Sequence, residues 1–356
     1  MRTQVTPDSV ETPRRQSWIG SYATGGEGWI TGAATDSSTG ALLPAGGMAP
    51  ARNASYLARA ATGIVYAVLE NPAGEVRAFL PTPDGGLRPH GPARSTGGAE
   101  PCHVGVHHDE AYVIVSNYGS GSVAVIPIAA DGSLDPATDV VEHHGHGPDD
   151  GPDGRQTGPH AHMAVTRPDP AGRWDVLVAD LGIDRIVHYR LDAGTGRLHQ
   201  VDETPMPPGS GPRHLALGGH YAYVAGELQS TLTVLDLDTD DPASRVVTTI
   251  PTIDVDGSLA SAIRLTPNGR WCYVANRGPD TIAVISVHGP VVRLHANVSC
   301  RGEHPRDLAL SPDGRLLYVA NQEADAVRTF RVDEFTGLPT PLGEPLQVSR
   351  PTCVLL

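Results

Sequence analysis

The chain has 356 residues, of which 39% are hydrophobic, and a formal net charge of −14. All 26 basic residues are arginine, which excludes lysine Schiff-base chemistry and the lysine-dependent phosphate loop; the acidic balance argues against nucleic acid as a partner. No apolar run approaches the roughly 18 residues of a membrane span.

In chain order, residues 1–16 read as a loose tail. They hold no apolar h-region, so no secretory signal is read there and a cytoplasmic protein is expected. From Ser17, "SWIGSYATGGEGWITGAATD" reads as the second and third strands of a unit that lacks its first. Further units begin near Tyr56, Pro101, His160, Pro212, Ser261 and Pro305. Each is a short apolar strand, a turn, a second strand ending on a polar residue, and a third, alternating strand. The turns "SPDGR" and "TPNGR" carry the Asp-Gly and Asn-Gly pairs that suit tight β connections. A spacing of roughly 45 to 60 residues fits four-stranded propeller blades. The terminal "RPTCVLL" supplies the missing first strand. The expected fold is therefore all-β, a single seven-bladed β-propeller over 17–356, its ring closed by residues 351–356 pairing beside 17–23. Cys102, Cys272, Cys300 and Cys353 form no C-x-x-C and read as buried free thiols.

In a propeller the innermost strand of each blade starts, and the second strand ends, on one face beside the central channel. Two rings of residues follow. The first holds His103, His160, His162, Arg213, His214, Arg306 and Asp307; the second holds Glu70, Asn117, Asp180, Glu227, Asn276 and Asn321. Arg213 and Glu227 are thus expected to meet in one pocket. The loop "HHGHGPDDGPDGRQTGPHAH" offers His143, His144, His146, His160 and His162 as imidazole ligands. H-x-H spacing in a Gly/Pro-rich loop without an accompanying Cys or Glu fixes no geometry, so neither a metal nor another cofactor is expected. "NYGSGSV" reads as a turn between strands, since no helix follows it to make a phosphate cradle.

Across nearly the whole chain the sequence resembles the β-propeller lactonases of the seven-bladed bacterial 6-phosphogluconolactonase type. The resemblance rests on "PCHV" (101–104), "NYGSGSV" (117–123), "RQTGPHAH" (155–162), "DLGIDRIVHYRL" (180–191), "GSGPRHLAL" (209–217), "GELQSTLTV" (226–234), "YVANRGPDTIAV" (273–284), "PRDLALSPDGRLLYVANQ" (305–322) and "PTCV" (351–354). It implies hydrolysis of a sugar lactone, in the pentose phosphate route for the named members, with His, Arg and Glu at the channel mouth. Where the family reads Ala-Glu-Ile before its fifth inner strand, this chain has Ser261, Ala262 and Ile263, so one expected carboxylate is missing.

Opening a lactone requires an activated water, a group for the developing oxyanion and a proton for the leaving alkoxide. The expected catalytic set is Glu227, His162, His103 and Arg213, with Glu227 or His162 as base and His103 or His214 as donor. Glu227 is favoured because other copies place a neutral Asn where it stands. The expected substrate contacts are His160, His214, Arg277, Arg306, Asn117, Asp180, Asn276, Asn321 and Gln322; Arg213, Arg277 and Arg306 suit an anionic ligand. The expected partner of this monomer or dimer is a small anionic lactone. The alternatives are a lactonising cyclase or isomerase acting on another small anionic metabolite, and a non-catalytic interaction platform. A platform would show an exposed apolar or aromatic patch, and the chain is only 5% aromatic.

Overall fold

The computed structural model describes residues 16–356 except 26, 37–38, 149–153 and 169–173. Most of the expected tail lies outside the described residues, and Gln16 already begins a strand. The strands form seven four-stranded antiparallel sheets, and among the described residues helix is confined to short 3-10 turns such as Pro242–Ser244.

Blade one is the composite. Its inner strand, Pro351–Leu355, pairs with Gln16–Ser21 in the register Trp18↔Leu355, Ile19↔Val354 and Gly20↔Cys353, which closes the ring as the sequence predicts. The inner strands of blades two to seven are Ala54–Arg59, Pro101–Val106, Ala161–Pro168, Pro212–Gly218, Leu259–Leu265 and Pro305–Leu310. Each neighbours the next round the channel, and Pro351–Leu355 completes the circle between Pro305–Leu310 and Ala54–Arg59.

Blades stack face to face, so second strands are covered on both sides and read as continuous apolar runs. "VYAVL" (Val65–Leu69) and "YVIVSN" (Tyr112–Asn117) are buried along their full length. Outer strands meet water and are largely exposed, as in Val291–Ser299. Two recurring devices lock neighbouring blades. The second-strand tyrosine donates its hydroxyl to a backbone carbonyl in the next blade's third-to-fourth turn: Tyr66 to Gly132, Tyr223 to Gly289, Tyr273 to Gly337 and Tyr318 to Gly40, at 2.8–3.0 Å. The "YVAN" motif is thus in part a blade-to-blade bond. The second device is an aspartate at positive φ in the second-to-third turn. Asp184, Asp280 and Asp325 each accept from backbone amides entering the next inner strand, at Gly211, His304 and Arg350.

One irregularity positions the site. Each inner strand slips register near its second residue, at Thr352, Ser55, Cys102, His162, Arg213, Ser261–Ala262 and Arg306. A β-bulge leaves the extra residue unpaired and re-aims its side chain. The bulge recurs in all seven blades, and in four of them it turns a side chain, Cys102, His162, Arg213 or Arg306, to the mouth of the channel.

Candidate active site

A pocket of about 200 Å³ opens at that mouth, lined by Tyr22, Glu70, Cys102, Tyr118, Arg155, His162, Arg213, Glu227, Arg277 and Arg306. Larger grooves of about 480 and 550 Å³ lie among the turns of the opposite face, around Thr266–Asn268; they gather no comparable charge. Two sets of equivalent positions build the pocket. Cys102, His162, Arg213 and Arg306 are bulge residues. Tyr22, Glu70, Tyr118 and Glu227 each follow the second-strand residue that pairs with the start of an inner strand, and Arg277, one residue past Asn276, itself pairs with Leu259 at the start of its inner strand.

That placement corrects the second expected ring by one residue. Asn117, Asn276 and Asn321 stand one position too early, where the side chain turns away from the channel. Asn117 Nδ2 donates to Ser122 Oγ (3.1 Å) and Thr96 O (3.4 Å). Asn276 accepts from Thr252 Oγ1 (2.7 Å), and Asn321 Nδ2 donates to Cys300 O (3.1 Å). All three are fully buried braces between a second strand and the loop beyond an outer strand. Asp180 plays the same part, accepting from the amides of His160 (2.8 Å) and Gly182 (2.9 Å) and pairing with His143 Nδ1 (2.6 Å). Gln322 has the right register, but its amide turns to Glu323 (2.5 Å) and does not line the pocket.

Glu227 is the centre of the charge network. Its Oε2 pairs with Arg213 Nε (2.8 Å) and Arg277 NH2 (3.0 Å), and its Oε1 with Arg155 NH1. Burial pushes its carboxyl up, but the guanidiniums of Arg277, Arg213 and Arg155 outweigh burial and hold it well below the usual carboxylate range. Arg213 loses basicity through burial, to about 10, with Glu227 opposing the fall. Across the mouth, Tyr22 donates to Glu70 Oε1 (2.8 Å), and Arg306 lies over the Tyr22 ring (4.8 Å), bonding its hydroxyl and standing 4.0 Å from Glu70 Oε2.

His162 is the pocket's imidazole. Burial, then Arg213, drives its pKa well below the ordinary value, so it is neutral at pH 7. The Cys102 thiol donates to His162 O (3.2 Å), and its sulfur lies 3.6 Å from His162 Nδ1. A thiol that donates to the carbonyl leaves its sulfur lone pairs free to accept from Nδ1–H, and that tautomer puts the imidazole lone pair on Nε2. Cys102 is a weak acid here, since burial and then Glu70 raise its pKa.

His214 and His103 do not line the pocket. They form a buried layer beneath it: His162 to His214 is 5.2 Å between ring centroids, His214 to His103 6.1 Å and His103 to Tyr56 4.4 Å. Burial lowers His103 to about 3 and takes His214 well below its ordinary value. Below them Arg264 pairs with Asp307 (2.9 Å) and reaches Tyr56 Oη (3.4 Å). Ala262, where the family's carboxylate is expected, is buried in the core between blades six and seven. His160 stacks on Tyr118 (4.4 Å, 18°) and bonds its backbone carbonyl, also outside the lining. Of the His-rich loop, His143 is engaged with Asp180 and stacked on Tyr189, and His146 Nδ1 donates to Gly147 O (2.8 Å). Among the described residues no three His, Cys, Asp or Glu side chains are grouped to hold a metal ion.

Tyr22, Tyr118 and Arg155 escape sequence reasoning. The tyrosines occupy the same register as Glu227, so the shift by one residue would have found them. Arg155 comes from a loop and carries no repeat signal, though it opens the family motif "RQTGPHAH".

The family model described as "Lactonase, 7-bladed beta-propeller" matches residues 16–356. The 6-phosphogluconolactonase of Bacillus subtilis is 33% identical over 346 residues, covering 95% of this chain and 97% of that protein. Among solved structures, the periplasmic gluconolactonase of Pseudomonas aeruginosa superposes with a TM-score of 0.86 at 29% identity, over 96% of this chain and 98% of that one. A Lactobacillus plantarum protein gives the same TM-score at 31% identity, over 96% and 99%. Among the described residues no helix is long and apolar enough to cross a membrane.

Proposed function

Given that the chain belongs to the seven-bladed β-propeller lactonase family, we propose that it is a hydrolase opening the lactone of an anionic sugar acid, with 6-phosphogluconolactone as the leading substrate. The observation that carries this reading is the convergence of Arg155, Arg213, Arg277 and Arg306 on one pocket that also holds a neutral imidazole. Four guanidiniums against Glu70 and Glu227 leave two positive charges for a ligand to meet.

His162 Nε2 takes a proton from water as the water oxygen bonds to the lactone carbonyl carbon. The carbonyl oxygen becomes an oxyanion beside Arg213 and Arg277, whose five-donor forks are only partly occupied, by Glu227, by His214 Nε2 (3.4 Å from Arg213 NH1) and by Leu259 O and Ala260 O (3.3 and 3.2 Å from Arg277 Nε and NH2). The ring C–O bond then breaks, and His162 returns the proton to the leaving alkoxide. Glu227 is a weak candidate for the base. Held by three arginines, its lone pairs are occupied and its basicity is low; its part is to gather and space the guanidiniums. Arg213 and Arg306 depress the His162 pKa, so a bound anion that neutralises them makes His162 a better base.

The test is a lactone panel, phosphorylated and not, scored against spontaneous opening. Enzymatic opening of 6-phosphogluconolactone supports the reading. Rates at the spontaneous level across the panel overturn it.

A further inference from the structure

We propose that Arg155 is the residue that selects a phosphorylated lactone over an unphosphorylated one, by binding the phosphate at the outer end of the pocket. The proposal rests on the lactonase reading and adds to it the recognition of the substituent.

Arg155 differs from the other arginines on Glu227 in origin and in exposure. It stands on the segment between the outer strand Asp139–Glu142 and the inner strand Ala161–Pro168, and belongs to neither ring. Its side chain is 24% exposed, against 3% for Arg213 and 8% for Arg277. The lactone carbonyl must descend to His162, which is buried. The phosphate, at the far end of such a substrate, then lies toward solvent, where Arg155 is the most exposed of the pocket's four guanidiniums, ahead of Arg306 at 17% across the mouth.

Arg155 is anchored through its neighbour. The next residue, Gln156, is buried, and its Nε2 donates to Leu181 O (2.8 Å) and Asp184 Oδ1 (2.9 Å). Asp184 in turn accepts from the amides of Gly209 (2.6 Å) and Gly211 (2.8 Å), which lead into the strand carrying Arg213. Gln156 is thus tied to the framework that places the deeper Arg213.

Arg155 also has capacity to spare. Glu227 already meets Arg213 and Arg277 through Oε2, so its Oε1 bond to Arg155 is the part of the network that a stronger anion can share or replace. The Arg155 guanidinium also meets the Tyr118 hydroxyl, and Arg155 Nε has no hydrogen-bond partner among the described residues. A guanidinium engages phosphate bidentately, and the pocket's two surplus positive charges match a phosphate dianion.

The experiment titrates 6-phosphogluconate and gluconate into wild type, Arg155→Ala and Arg155→Lys by calorimetry, and measures kcat/KM for the two corresponding lactones. The expected result is a wild-type preference for the phosphorylated member of each pair that falls roughly 10- to 100-fold in Arg155→Ala, the loss of a charge-assisted bond. Arg155→Lys falls between, keeping the charge without the fork. A melting curve of each variant checks folding; Glu227 keeps two arginines in both. A preference that survives in Arg155→Ala, an equal loss for both members, or no preference in wild type overturns the proposal. Should neither lactone open faster than it does spontaneously while the titration preference behaves as expected, the lactonase reading fails and the phosphate site stands.

Discussion

Blades five and six share a backbone and differ in chemistry. Both inner strands slip register beside their second residue, and both second strands run antiparallel to them. In blade five the bulge residue is Arg213, and the residue past the second strand's pairing end is Glu227; the two pair inside the pocket at 2.8 Å. In blade six the bulge carries Ser261, which turns its hydroxyl to Pro305 O (2.6 Å), and Ala262 fills the core between blades. Only Arg277 reaches the mouth, where it joins Glu227 at 3.0 Å. The fold therefore supplies seven equivalent places at the channel, and single residues decide which become chemistry.

The largest effect expected from breaking this contrast is on blade five's carboxylate. Glu227→Gln removes the one negative charge shared by three guanidiniums. Breaking a buried pair by removing one partner costs about 3–5 kcal/mol, so the denaturant midpoint should fall clearly along with activity. A fall in stability of that size marks a charge-gathering carboxylate and not the general base that the sequence favours at Glu227. A Gln variant that melts like wild type would return Glu227 to the role of base.

A smaller effect separates His214 in blade five from Ala262, its counterpart in blade six. His103, His162 and His214 have folded pKa values below their unfolded values. Above pH 6.5 both states are neutral there; as pH falls below 6.5 the unfolded chain takes up protons that the folded one refuses, and stability drains away. Each such histidine contributes a slope of about 1.4 kcal/mol per pH unit. His214→Gln should flatten stability against pH by that amount between pH 6 and 4. An unaltered slope would mean that His214 is protonated in the fold.

The smallest effect tests what the two blades share. Tyr223 and Tyr273 make the same bond to the next blade's glycine carbonyl, at 2.9 and 2.8 Å. Tyr223→Phe and Tyr273→Phe should each cost about 1 kcal/mol in paired denaturation curves. A large difference between the two would show that these blades are not locked alike.

The contrast also explains what was legible in the sequence. The blades, their number and the closure by Pro351–Leu355 were legible because repeated apolar strands and turn pairs are local signals. The pocket was legible where a charge broke the repeat, at Arg213, Glu227, Arg277 and Arg306. It was misread at Asn117, Asp180, Asn276 and Asn321, because a strand's side chains alternate with period two and a polar residue bracing a loop looks like one facing the channel. Arg155 was invisible for another reason: its composition-rich loop drew attention to histidines, whereas what the loop delivers to the pocket is an arginine held by Gln156.

The measurement that bears most directly on the central claim, that a neutral His162 among arginines opens the lactone, is the pH dependence of kcat/KM for 6-phosphogluconolactone in wild type and His162→Gln, corrected for spontaneous opening. kcat/KM reports the free enzyme, in which His162 stays deprotonated as pH falls through 6.5. Apart from the protonation of the substrate's own phosphate at about pH 6, which an unphosphorylated lactone run in parallel lacks, wild type should therefore keep its activity through that range and lose it only at lower pH, and the Gln variant should be slower by roughly 10²- to 10⁴-fold throughout. An acid limb centred near 6.5, or a His162→Gln variant that turns over like wild type, would contradict the account.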